Sequence, residues 1–196
     1  MDTNHKRVGI NLWGILLFIS ICLIFIGILV FLHQSGNRKE ASDRLSEIQE
    51  TVNITTENAM DYDTTHKMNR NPPDQDILTR LGINIPNKDI NWQNLHEQNA
   101  DIYAWIYVPD TIVDYPIVQH PTDNSYYLNY NLDGSYGYPG CIYTENYNTK
   151  TFSDLHTVIY GHNLKDQTMF STLHNFEDPG LMKEDHYIYI YTENYI

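Results

Sequence analysis

The apolar positions of this chain fall into three regimes. Leu12 to Leu32 (LWGILLFISICLIFIGILVFL) runs without a charged residue. At ~1.5 Å per residue, a helix of that run is about 31 Å long and matches a hydrocarbon core of roughly 30 Å. From Arg38 to Glu57 the apolar positions thin to Leu45, Ile48 and Val52, at spacings of three and four. That narrow stripe fits a helix; a stalk and a solvated linker are its two readings. From Ile77 onward, short apolar runs alternate with turn residues, the pattern of a domain built from short strands.

Within that last part the elements can be placed. Asn58 to Asp76 has no periodicity, contains Pro72-Pro73 and reads as a linker. Asn91 to Asn99 is expected as a short helix with Trp92 and Leu95 inward. Strand-like runs follow at Ala104 to Val108, Ile112 to Gln119, Cys141 to Thr144 and Thr157 to Tyr160. Pro116 assigns the second of these to an edge or a bend, because proline cannot donate to a ladder. Ser125 to Asn129 reads as a short helix or turn, and Gly137 to Gly140 as a turn. Met169 to Phe176 has helical spacing, with Met169, Phe170, Leu173 and Phe176 on one side. Tyr187 to Thr192 (YIYIYT) alternates at period two, a strand signal. Many short strands at this spacing predict a β-barrel or sandwich.

The long apolar run admits two readings. A cleaved signal peptide has a shorter apolar core and small residues before the cut. This run is long and no A-x-A pattern follows it, so it reads as a retained anchor. His5, Lys6 and Arg7 precede it, and Arg38, Lys39 and Arg44 follow it. The positive-inside rule is nearly balanced; the long acidic part downstream favours the N-terminus inside and the domain outside. The chain then divides into a cytoplasmic tail (1–11), a transmembrane helix (12–32), a stalk and linker (33–76) and a folded domain (77–196).

Charge and cysteine count narrow the function. Asp and Glu total 25 against 12 Lys and Arg, a net charge of −13. Such a balance repels phosphate backbones and argues against nucleic-acid binding. Two cysteines exclude a disulfide scaffold and a Cys-cluster zinc site. His156, His174 and His186 share no metal-ligand spacing, so neither a metal nor another cofactor is expected. Asn53-Ile54-Thr55 fits a glycosylation acceptor, a short and common pattern.

His162 is the most pointed candidate. It follows a strand and Gly161, where an imidazole on a rigid platform can act as acid or base near neutral pH. A surface-loop histidine is the bland alternative. Cys141 opens an apolar strand with no basic neighbour in sequence. It reads as a buried small hydrophobe rather than a nucleophile.

Several runs then carry a resemblance. They are Ala104 to Thr111 (AWIYVPDT), Val113 to Gln119 (VDYPIVQ), Asn124 to Leu128 (NSYYL), Gly140 to Tyr143, and Val158 to Asn163 (VIYGHN) with Met169-Phe170 and Leu173 behind it. In this order and spacing, over roughly Ile90 to Thr192, the chain resembles class B sortases, membrane-anchored cysteine transpeptidases of Gram-positive bacteria. The resemblance implies an incomplete sortase-type β-barrel with short helices, mainly β, behind the anchor and a helical stalk. It makes His162 the catalytic imidazole beside a nucleophilic cysteine, protonating the leaving amine. It makes Asn124 and Leu128 lining residues of the groove for a C-terminal sorting-signal peptide. Members cut that signal after Thr, form a thioester and pass the acyl group to a peptidoglycan or pilin amine.

One departure bears on activity. The family nucleophile lies in a Thr-Leu-x-Thr-Cys strand after the histidine, and an Arg follows on the next strand. These 196 residues contain no Cys after Cys141 and no Arg after Arg80. The expectation is a C-terminally truncated sortase domain, poorly stable and inactive as it stands. Loss of a covalent nucleophile costs on the order of 10⁶-fold in rate. A non-enzymatic anchored remnant or peptide-binding module is the alternative, and a Tyr-rich adhesin ranks last.

Overall fold

The structure is a computed structural model that describes residues 12–58, 80, 82, 85–181 and 186–194. The expected cytoplasmic tail and all but Asn58 of the Pro72-Pro73 linker lie outside the described residues. The chain divides into two units, residues 1–37 and 38–196.

The first unit holds the beginning of helix α1, Leu12–Asn58. Its apolar side chains are exposed all round: Trp13, Leu17, Phe18 and Phe31 are each more than half exposed. No part of the most apolar stretch is buried, and the helix is long and apolar enough to cross a membrane. A helix that is apolar on every face and packs on nothing in water gains by entering lipid.

In the second unit the later turns of α1 bury one stripe. Ala41, Leu45, Ile48 and Val52 are buried, and their three- and four-residue spacing puts them on one side. Ile48 and Val52 pack in one cluster with Ile90, Trp92, Leu95 and Trp105. The stripe is therefore docked onto the domain. Each fully buried Ile or Val contributes about 1.5–3 kcal/mol over leaving it exposed.

The core is a five-stranded sheet: β1 Ile102–Tyr107, β2 Asp114–Val118, β3 Ile142–Thr144, β4 Ile159–Tyr160 and β5 Tyr189–Thr192. Their order is β4-β3-β2-β1-β5. β2 and β3 run parallel and the other pairs antiparallel. Among the described residues β4 and β5 do not pair, so the sheet is mixed and open rather than closed into a barrel or stacked as a sandwich. Helix α2, Trp92–Gln98, starts at Asn91, whose side chain accepts from the Asn94 N–H. Trp92 and Leu95 are its buried residues, as the sequence spacing predicts.

Period-two alternation sorts the sheet residues into two clusters. Trp105, Val118, Tyr143 and Tyr191 join one, with α2. Ile106, Ile117 and Ile142 join the other, with Met169 buried in it and Ile190, Phe170, Leu173 and Phe176 against it. Both faces are covered, which is why β1 and β2 are buried almost throughout.

Two sequence expectations are corrected. β2 lies between β1 and β3 rather than at an edge. Pro116 is tolerated because β3 pairs only with Ile117 and Val118, so no β3 partner awaits the missing N–H. The apolar run at Met169–Phe176 is not one α-helix. A 3₁₀ helix spans Ser171–Glu177, while Met169 has φ 57° and bridges Asn163. The Met169 N–H donates to the Tyr115 hydroxyl at 3.2 Å, a bond across 54 positions that outweighs the local spacing.

Candidate functional site

The site grows from the end of β4. Gly161 follows Tyr160 at a point with no room for a side chain. A Cβ there would lie 2.5 Å from Ile142 Cδ1 and 2.7 Å from Phe170 Cδ2. The chain therefore runs tight against β3 and turns out at His162, which is half-buried. The Phe170 N–H donates to the His162 carbonyl at 2.9 Å. The His162 ring meets Tyr138 edge-on, with centroids 5.1 Å apart and planes at 80°. It also hydrogen-bonds the backbone of Pro139, which has only a carbonyl to offer, so the ring is the donor. Burial pushes the His162 imidazole below its ordinary 6.5, and the Pro139 bond opposes that push.

Helix α3, Tyr126–Asn129, comes close to the same place. Gly140 is the contact between the two. It has φ 66°, and a Cβ on it would lie 3.0 Å from the Tyr127 and Leu128 carbonyl oxygens and 3.3 Å from His162 Cε1. A glycine is required there for both conformation and space. The Leu128 carbonyl and the His162 ring thus border the same point, and Leu128 is 42% exposed.

Asn124 lies in the loop before α3. Its Oδ1 accepts from the Asn146 N–H at 2.6 Å, and Asn146 Nδ2 donates to the Pro121 carbonyl. Its contact joins two loops.

Cys141 follows Gly140 in sequence but points into the core. It is 2% exposed, its Sγ donates to the Tyr130 carbonyl at 3.5 Å, and burial pushes its thiol well up from the ordinary value. A thiol so placed is neutral near pH 7 and a poor nucleophile. Among the described residues no His, Cys, Asp and Glu cluster could hold a metal ion.

The open mixed sheet with its few short helices is a sortase-like fold. No protein-family model matches the chain. A sortase B of Listeria monocytogenes is 41% identical over 90 residues, which is 46% of this chain and 36% of that protein. A class B sortase of Streptococcus pyogenes involved in pilus biogenesis aligns in structure with TM-score 0.50 and 31% identity, covering 55% of this chain and 58% of that one. Sortase B of Bacillus anthracis aligns with TM-score 0.56 and 25% identity, covering 84% of this chain and 64% of that one. The chain spans roughly a third of the length of the curated relatives it matches. Over about half its own length the chain resembles class B sortases in sequence and in fold.

Proposed function

We propose that this chain carries the histidine side of a class B sortase transpeptidase site, on a domain held outside the cell by a single membrane-spanning helix. The meeting of Leu128 and His162 at Gly140 supports this reading most directly. It brings the backbone of α3 and a half-buried imidazole to one point, and Leu128 on that helix is partly exposed, an apolar residue available to an extended peptide. The peptide is the sorting signal of a surface protein, and the acceptor is an amine of peptidoglycan or of a pilin. The open sheet corresponds to part of the sortase barrel.

In this chemistry a cysteine thiolate attacks the carbonyl after Thr. The C–N bond breaks, the departing amine takes a proton from the imidazolium, and a thioester remains until an incoming amine displaces the sulfur. His162 by itself is neutral at pH 7, since burial lowers its affinity for a proton. A thiolate beside it would restore that affinity, as an opposite charge does. Cys141 is buried, so it is not the thiol that this histidine would serve.

The test is a titration of the full chain in nanodiscs with Thr-containing sorting-signal peptides, followed by the His162 ring resonance. Peptides should shift that resonance saturably, and Leu128→Ala should weaken binding about three- to tenfold, the worth of a few apolar contacts. No shift at His162 with any peptide refutes the reading. So does turnover that Cys141→Ala abolishes.

A further inference from the structure

The residue after His162 is fixed on two sides. Its backbone bridges Met169, and its side-chain Nδ2 lies 2.9 Å from His174 Nε2 on the 3₁₀ helix. His174 Nδ1 lies 2.5 Å from Glu177 Oε1. A carboxylate only accepts, so in the neutral ring Nδ1 carries the proton and Nε2 is left to accept from the Asn163 amide. The three groups therefore have one self-consistent set of donors and acceptors. The hairpin between Asn163 and Met169 is held again at its far end, where Arg38 pairs with Asp166 at 2.5 Å. Ser171 Oγ accepts from the Leu164 N–H and lies 2.7 Å from the Leu164 and Thr168 carbonyls.

We infer that Asn163, His174 and Glu177 form a positioning relay that fixes the ring of His162 against Tyr138 and Pro139. His174 and Glu177 are exposed, with side chains 58% and 76% accessible. They act through Asn163, whose backbone continues directly from the histidine. The relay has the form of an orienting second partner behind a functional imidazole, here one residue removed. The catalytic meaning of the relay rests on the sortase reading of His162; its geometry does not.

The test uses the full chain in nanodiscs with ¹⁵N-labelled histidine, the His162 signals being assigned with His162→Gln. Two quantities are read: the His162 titration midpoint and the exchange rate of the Phe170 amide that bonds its carbonyl. His174→Ala should move the midpoint up toward the ordinary 6.5 and speed Phe170 exchange about five- to tenfold, the effect of one lost hydrogen bond. His174→Gln, whose side-chain oxygen can accept from Asn163, should keep both near wild type. If His174→Ala leaves both unchanged, the relay is refuted. If His174→Gln shifts the midpoint as far as His174→Ala, acceptance from Asn163 is not what sets it and the relay is again refuted. Relay variants that move His162 in a protein that binds no sorting-signal peptide would sink the sortase reading and leave the relay standing.

Discussion

Gly140 stands directly against His162, so close that a methyl group on it would lie 3.3 Å from the ring's Cε1. The same methyl would lie 3.0 Å from two backbone carbonyls of α3, at a backbone φ of 66°. A side chain in that conformation costs roughly 1–2 kcal/mol, and overpacking typically adds 1–3. Gly140→Ala should destabilise the domain by at least about 2 kcal/mol in urea unfolding and shift the His162 ring resonance. An unchanged His162 signal would mean that the two residues do not share this contact.

His162 should link stability to pH. Burial holds its folded-state ionisation below 6.5, so the unfolded chain binds its proton first as pH falls. Unfolding then takes up a proton between the depressed value and 6.5, and stability rises with pH across that window and levels off above it. His162→Gln should remove that part of the slope. Equal slopes for both proteins between pH 5 and 7 would show that the ring is not desolvated.

A buried ion pair secures the segment before α2. Lys88 Nζ lies 2.8 Å from Asp114 Oδ2, with side chains 7% and 16% exposed, and sits 4.6 Å from the centre of the Tyr107 ring. Trp105 Nε1 donates to the other carboxylate oxygen, and Gln49 of α1 donates to the Asp114 carbonyl. Removing one partner of a buried pair leaves the other charge uncompensated and costs about 3–5 kcal/mol. Asp114→Ala should show that loss in chemical denaturation, and Lys88→Met, which leaves the Asp114 carboxylate uncompensated, a comparable one. A loss below about 1 kcal/mol for Asp114→Ala would place the pair in solvent.

The docked stripe of α1 gives a separate check. Ile48→Ala should cost about 2–5 kcal/mol, the range for large-to-small changes in a core. Exposed Glu50→Ala on the same helix should be within about 0.5 kcal/mol of wild type. Equal, negligible effects would return the segment to the solvated-linker reading.

The strands were legible where both signals agreed. YIYIYT reads as a strand because Tyr191 and Ile190 face opposite clusters, and AWIYV because Trp105 and Ile106 do the same. The helix around Trp92 and Leu95 was legible from the spacing of those two residues. What stayed hidden depends on distant partners. Pro116 could be assigned to a central strand only by knowing where β3 begins, and Met169 left the helix pattern because a tyrosine 54 positions away takes its N–H. The same holds at the site. The strand–Gly–His order and the resemblance singled out His162, and Leu128 came with the resemblance. Asn124 came the same way, while its bond to the Asn146 N–H has no signal in the sequence. Nothing in the spacing joins Asn163 to His174 and Glu177, because an irregular hairpin and a 3₁₀ turn bring them together.

The most direct measurement is photo-crosslinking of the full chain in nanodiscs with a sorting-signal peptide carrying a benzophenone, mapped by mass spectrometry. The account predicts crosslinks concentrated at Leu128, Tyr138 and His162 and competed away by unlabelled peptide. Crosslinks that fall elsewhere on the domain, or that unlabelled peptide does not compete, would contradict a peptide groove at His162.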